Sequence, residues 1–401
     1  MRPFKALISL DEALAICMGA ASPIEGVETL GLRGAPGRVA ASAVSAKISV
    51  PLTDCAAMDG YAVKASNTFG SGRFKPKVLR RIDTVYAGGV PRKRVVGGTC
   101  IEVATGSTIP PGADAVVKVE DTERKGDAIS VYTPVHPGEN VSGEGEDIKR
   151  GEQVVAKGDL LSPARIGALA AVGAAGVRVY RKPVVAVLTT GDEIVEPGGP
   201  IRPGRVYDIN AFTLSAVVEQ NGGLTKRFPR VPDDIKSLRN SLAKAAKCDL
   251  VVFSGGSSVG EKDLIMDVLK ELGEVRFHGV AVKPGKPTVL GRVGETPVLG
   301  MPGYPTSCLS NAYMLLAPML RNMARLPPKH EEIVEAPISR RLVSTIGRVE
   351  FHTVKIEKGK AVPVYKESGA ITSMANADGY IKIPANVDLI EAGEKVQVIL
   401  F

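Results

Sequence analysis

The 401-residue chain is too long for one ordinary hydrophobic core, so about two to four domains are expected. Hydrophobic residues at 44% and charged residues at 23% exclude a disordered chain. The absence of Trp, with aromatics at only 4%, disfavours a protein that stacks nucleobases on aromatic side chains. Lys and Arg number 51 against 43 Asp and Glu, a formal charge of +8 that favours anionic partners such as phosphates and oxyanions. A surface rich in both signs accounts for that charge equally well. Basic residues cluster only briefly, as in VPRKRVV, so nucleic acid is not an expected partner.

In chain order, SLDEALAI opens with Ser9 and Glu12 three residues apart, a capping box ahead of an amphipathic helix. The N-terminal stretch is too charged for a signal peptide, and no apolar run reaches membrane-spanning length. From Ala40 to about Gly158, short Val, Ile and Tyr runs separated by Gly and Pro predict small sheets and hairpins. SPARIGALAAVGAAGVRVY returns to a helix with Pro163 in its first turn, and its small-residue face predicts packing against the first helix. The two helices would then form one elongated domain, with the β segment inserted between them.

At KPVVAVLTTGDEI a continuous apolar run delivers polar residues at its end, as a buried parallel strand does. Helix, strand and loop then alternate to about residue 326, which predicts a doubly wound parallel sheet. DINAFTLSAVVEQNGG reads as a helix with Asp208 or Asn210 at its cap and Gly222-Gly223 ending it. LPPKHEE reads as a linker, and 331–401 as short strands of a small barrel or open sheet. Five scattered cysteines without a CxxC pair suit free thiols in a reducing cytoplasm. The four histidines have no zinc spacing, so any metal is expected to be a hard cation held by carboxylates and phosphates.

In open α/β sheets ligands bind beyond the carboxyl ends of the strands, where strand order reverses. Three segments fall there. TTGDE offers hydroxyls and the carboxylates Asp192 and Glu193. SGGSSVGEKD places Gly255, Gly256 and Ser258 before a helix, a donor-rich turn through which an anion can approach the backbone, and closes on Asp263. MPGYPTS supplies Gly303 and Ser307. VKPGKP sets Lys283 and Lys286 around a Pro-stiffened turn, which suits a phosphate or oxyanion. Carboxylates beside anion-binding loops call for a cation, and Mg2+ is the economical choice. Each motif also has a plainer reading: the glycines as a tight turn, the acids as helix caps, the lysines as a solvated turn. Asp59-Gly60 and Thr105-Gly106-Ser107 are by themselves ordinary turn chemistry.

Taken in order, MDGYAV, TGSTIPPGADAVVKVE, GEDIKRGE, TTGDE, SGGSSVGEKD, VAVKPGKP, MPGYPTS and GRVEF resemble the MoeA-type molybdopterin molybdotransferases, the family that includes the gephyrin E domain. The likeness runs along essentially the whole chain. It implies a multidomain α/β plus β fold: an elongated helical domain (1–45 and 149–181) with an inserted β domain (46–148), a doubly wound α/β domain (182–326) like the small molybdopterin-binding proteins MogA and MoaB, and a C-terminal small β-barrel (327–401). It implies insertion of molybdate or tungstate into adenylated molybdopterin, with Mg2+ and release of AMP. Carried over by motif, Asp59, Thr105, Glu193, Asp263, Lys283 and Lys286 would be catalytic, with Asp59, Glu193 and Asp263 at the metal. Asp147, Asp234, Gly255, Gly256, Ser258, Gly303, Ser307 and Arg348 would hold the substrate. The implied partners are a second copy of the chain, a molybdopterin adenylyltransferase, and the molybdoenzyme or tungstoenzyme apoproteins that receive the cofactor. In the implied homodimer, the β domain of one chain covers the α/β site of the other. Gly279 stands where the family often carries lysine, Tyr304 where it often carries asparagine, and Ser257 where valine or threonine is common. An adenylyltransferase would share the α/β sheet but have no use for MDGYAV or the long insertion. A non-catalytic scaffold would not need both lysines and every carboxylate.

Overall fold

A computed structural model of the chain describes residues 7–255, 264–366 and 369–401. It divides into two compact units, one formed by Val27–Val179 and the other by the preceding residues together with Tyr180–Phe401.

The Val27–Val179 unit is built on a six-stranded sheet in the order Ala115–Lys118, Gly60–Val63, Thr99–Val103, Lys77–Val85, Ala128–Val131, Thr122–Lys125. Lys77–Val85 and Thr99–Val103 run parallel, and the other neighbours are antiparallel. Alternate residues of a strand face opposite sides, so Tyr61, Val63, Cys100 and Val117 enter one core while Ala62, Ile101 and Val116 enter another. Both faces are covered, which is why these strands read as unbroken apolar runs. The helix Pro163–Ala171, capped by Ser162 with Pro163 at its first position, packs Leu169 among Ala35, Leu161, Val177 and Val179.

The expected pairing of this helix with the first helix is corrected. Leu10–Ala20 is capped by Ser9 as its sequence predicts, but its buried stripe of Leu10, Ala13 and Cys17 joins the core of the other unit. The stripe meets the larger apolar side chains Met319, Leu320 and Met323, which bury more area than a small-residue contact could.

In that second unit the strands β1 (Val184–Thr189), β2 (Leu224–Arg227), β3 (Leu250–Ser254), β4 (Gly273–His278), β5 (Val289–Val293) and β6 (Thr296–Met301) form one sheet in the order β2-β1-β3-β6-β5-β4. β5 alone runs opposite to the other strands of the sheet. Helices α1 (Asn210–Gln220), α2 (Ile235–Ala245), α3 (Leu264–Leu272) and α4 (Pro305–Asn311) lie between strands, and α4 continues through a π turn (Ala312–Leu316) into α5 (Ala317–Met323). Val185, Val187, Leu250, Val252 and Leu299 pack under α1, α4 and α5. The alternate residues Ala186, Leu188, Val251, Phe253 and Val298 pack under α2 and α3. The chain leaves β1 for β2 on one side and returns to β3 on the other, so strand order reverses between β1 and β3.

After residue 332 the chain forms a small closed sheet. Val349–Glu357, Gly379–Ile383, Lys395–Leu400 and Ile333–Pro337 are neighbours in that order. Lys360–Pro363 pairs with Val349–Glu357, and Ile338 bridges Ala361, which closes the ring around Val354, Ala361, Ile381 and Val398. Val282–Lys283 adds to this sheet beside Val349–Glu350. Among the described residues no helix is long and apolar enough to cross a membrane, and the five cysteines are free.

Asp249, just before β3, accepts two hydrogen bonds from Arg181 (2.6 and 2.7 Å) and one from the Val184 N–H (2.7 Å), tying the entry of β1 to that of β3. Burial alone would raise its carboxyl. The Arg181 hydrogen bonds, the Val184 N–H and the guanidinium charge outweigh that and hold it below the ordinary value. Asp249→Ala is expected to cost about 2–3 kcal/mol in urea unfolding at neutral pH. Because the folded group is the stronger acid, its contribution is complete above the ordinary aspartate pKa and is lost as pH falls through the depressed one. The difference between wild type and variant should therefore shrink toward zero in acid.

Candidate active site

A cavity of about 800 Å³ opens beyond the carboxyl ends of β1, β3 and β6, at the point where strand order reverses. Its floor is polar and closed. Thr189 and Ser254 stand opposite each other in register at the ends of β1 and β3. Thr189 donates to Asp208 (2.6 Å), whose other oxygen accepts from the Ala211 N–H (2.9 Å) and caps α1. The Asn210 amide donates to Ser254 Oγ and to the Gly303 carbonyl, both at 2.7 Å. Ser254 in turn donates to the Pro302 carbonyl. All four side chains are buried, so these bonds are shielded from water and fix three loops to one another.

Two glycines set how closely those loops approach. Gly255 has φ +97°, and a Cβ there would lie 2.4 Å from the Thr190 carbonyl oxygen. Gly303 faces it, with its would-be Cβ 3.8 Å from Gly255 Cα. Gly255, the first small residue after β3, thus serves a backbone contact inside the protein as well as any ligand. Gly256, Ser257, Ser258 and Asp263 lie outside the described residues.

Glu193, Asp233 and Lys286 line the cavity, as do Ser307 in the first turn of α4 and the exposed Tyr304. The Glu193 carboxylate lies over Gly191, where a Cβ would come within 2.8 Å of both its oxygens. Arg230 holds the same turn by donating to the Gly191 carbonyl (2.9 Å) and to Asp192 (3.0 Å). Of the two acids in VPDD it is Asp233, not Asp234, that reaches the cavity. Asp234 accepts from the Ser237 N–H (2.8 Å) as the cap of α2, and the Ser237 side chain first and that N–H second hold its carboxyl low. Asp233 is pushed up, first by desolvation and then by the charges of Asp192 and Glu193, although the Asp192 N–H donates to it.

The two lysines of VKPGKP part company. Lys286 lines the cavity, whereas Lys283 is bonded to Glu350 (3.0 Å) and Thr345 (3.0 Å) at the edge of the closed sheet. Glu350 is 1% exposed and also meets His352 (2.7 Å) and the Thr345 N–H (2.7 Å). Burial would raise its carboxyl, but these partners hold it down. Arg348 sits half-buried in the turn before that strand and is not among the lining residues.

Asp59, Thr105 and Asp147 belong to the Val27–Val179 unit. Asp59 accepts from both the N–H (2.6 Å) and the hydroxyl (2.8 Å) of Thr105. These bonds, the backbone one first, hold its carboxyl below the ordinary value while it stays exposed. Gly60 is required beside it, since a Cβ would lie 2.0 Å from the Val117 carbonyl oxygen. Asp147 is exposed and edges a shallow cavity of about 430 Å³ beside the helix Pro163–Ala171. Among the described residues no three His, Cys, Asp or Glu side chains converge to hold a metal ion.

Gly279 has φ +99°, in the left-handed region. A lysine there would be strained, so Gly279→Lys is expected to lose roughly 1–2 kcal/mol in thermal unfolding. Gly279 does not line the cavity.

A doubly wound sheet with a lysine-bearing cavity at its switch point defines an open α/β ligand-binding class, and residues 186–322 match the probable molybdopterin binding domain. Residues 8–173 match the MoeA N-terminal region (domain I and II), and residues 335–401 the MoeA C-terminal region (domain IV). The molybdopterin molybdenumtransferase of Haemophilus influenzae is 33% identical over 81% of this chain and 80% of that protein. Molybdopterin molybdenumtransferase 2 of Mycobacterium tuberculosis is 31% identical over 92% of this chain and 94% of that protein. The crystal structure of a molybdopterin biosynthesis MoeA protein from Pyrococcus horikoshii superposes with a TM-score of 0.84 at 39% identity, covering 98% of this chain and 99% of that one. The chain belongs to the MoeA family, transferases of molybdenum cofactor biosynthesis.

Proposed function

We propose that this chain takes adenylated molybdopterin, inserts molybdate at its dithiolene and releases AMP. The reading is carried by one observation: a single cavity at the switch point unites a lysine, two carboxylates and a rigid polar floor. The substrate is a phosphate-linked nucleotide and the co-substrate a tetrahedral oxyanion, and both need fixed cations and donors. Lys286 binds the phosphates, Ser307 and the backbone around Gly255 and Gly303 orient them, and the dithiolene comes with the substrate, so no cysteine nucleophile is needed. Tungstate has the same charge and shape and is the alternative oxyanion.

The residues present suit Mg2+. This ion commonly takes one or two carboxylates, keeps several waters and shares substrate phosphates, so a full protein cage is not required. Glu193 and Asp233 would hold it, and the raised Asp233 carboxyl is the one a neighbouring cation would relieve. Bound there, it would neutralise phosphate charge as AMP departs.

We also propose a homodimer that acts in the cytoplasm and passes its product to molybdoenzyme or tungstoenzyme apoproteins, downstream of a molybdopterin adenylyltransferase. In a two-fold dimer with composite sites, Asp59→Asn and Asp263→Asn are each inactive alone. Co-refolding the two should restore roughly a quarter of wild-type AMP release, because about half the dimers are mixed and each mixed dimer keeps one intact site. If mixed dimers form and no activity returns, the two acids serve a site within one chain.

A further inference from the structure

Asn311, the last residue of α4, is fully buried and does not line the cavity. Its amide nitrogen donates to the Gly285 carbonyl (2.7 Å) and to Thr288 Oγ1 (2.5 Å). These two acceptors flank Lys286 and Pro287, the part of the turn that faces the cavity. The amide orientation follows from chemistry: a carbonyl can only accept, and the one hydroxyl proton of Thr288 is already donated to Gly285 (2.9 Å). The nitrogen therefore uses both protons on the turn, and Asn311 Oδ1 is left buried without a partner among the described residues.

The turn is shaped to receive this contact. Gly285 has φ +113°, and a Cβ there would lie 2.3 Å from Asn311 Oδ1 and 2.5 Å from Nδ2. From the other side, the Lys286 carbonyl accepts from the N–H groups of Val280 (3.0 Å) and Thr288 (2.9 Å). The lysine backbone is thus fixed by the main chain, and the residues flanking Lys286–Pro287 by one side chain.

We propose that Asn311 is a positioning residue for Lys286: it clamps the VKPGKP turn to α4 and so sets where the ammonium group meets the phosphate of the ligand. This rests on the reading of the cavity as a nucleotide-phosphate site. A buried polar side chain with one acceptor left unpaired is costly to keep in a core, and a turn held on both flanks of a ligand-facing lysine is what it obtains.

The test is a double-mutant cycle on AMP binding, measured calorimetrically with Mg2+, alongside amide exchange at Val280 and Thr288. Lys286→Ala is expected to weaken AMP about tenfold or more, as loss of a charge-assisted bond does. Asn311→Ala is expected to weaken it roughly fivefold, and the double variant no further than Lys286→Ala alone, since both act through one contact. Exchange at Val280 and Thr288 should quicken in Asn311→Ala while the strands β1 and β3 keep wild-type protection. Should Asn311→Ala fail to fold, Thr288→Val replaces the hydroxyl that accepts from Asn311 with a methyl group and should show the same pattern. Additive losses, or unchanged exchange at the turn, overturn the proposal. If wild type fails to bind AMP, the phosphate-site reading falls. If Lys286→Ala binds as wild type does, the clamp positions nothing and is overturned with it.

Discussion

Glu193→Gln is expected to lower AMP release by about a hundredfold or more, with unfolding free energy changed by no more than about 0.5 kcal/mol. The substitution keeps size and shape and removes only charge. Among the described residues the Glu193 carboxylate accepts no hydrogen bond, and the residue is exposed at the cavity rim, so the fold does not depend on that charge. What does depend on it is the local field. Two carboxylates near a phosphate repel it unless a cation intervenes, and removing one weakens the hold on that cation. Raising Mg2+ should therefore recover part of the activity of Glu193→Gln. Turnover near the wild-type level at ordinary Mg2+ would remove Glu193 from the site.

The second large effect is structural in origin. Gly255→Ala places a Cβ 2.4 Å from a backbone oxygen of Thr190 and 2.8 Å from its hydroxyl, at φ +97°. No rotamer change relieves a clash with a carbonyl, so the turn after β3 or the turn after β1 must move. The floor is tied together through Ser254, Asn210 and Gly303, and the movement is carried into it. A loss of roughly 2–4 kcal/mol in stability is expected from the clash and the backbone strain together. AMP release should fall even at temperatures where the variant remains folded. An alanine variant with wild-type melting and turnover would show that the two turns are not packed as described.

Much of this architecture is written in local patterns. The continuous apolar runs of β1 and β3, each ending in Thr or Ser, announce a parallel sheet with polar carboxyl ends, and Ser9 with Glu12 announces the first helix. Partner choice is not local. Leu10, Ala13 and Cys17 form the same stripe whichever helix they meet, and only the folded core shows that they join the α/β unit. The same limit applies to the site. Asp233 and Asp234 are adjacent acids of equal chemistry, and what separates them is that one ends up capping α2. Lys283 and Lys286 look equivalent around a Pro-Gly turn until Glu350, 67 residues away in sequence, takes the first. Asn210 reads only as a candidate cap and Asn311 as an ordinary helix residue, because the hydroxyl and backbone carbonyl that each one meets lie far away in the sequence. The DIN segment held a partial sign, since two short polar side chains at one helix start exceed what a single cap needs.

The central claim is that the cavity at the β1–β3 switch point couples oxyanion insertion to loss of AMP. It is tested most directly by incubating the purified protein with adenylated molybdopterin and Mg2+, with and without molybdate or tungstate, and measuring free AMP. The expected result is AMP release that needs the oxyanion, saturates with it, matches the metal bound to molybdopterin mole for mole, and is abolished in Lys286→Ala. AMP released equally well without either oxyanion, or no AMP released from a folded protein that binds the substrate, would contradict it.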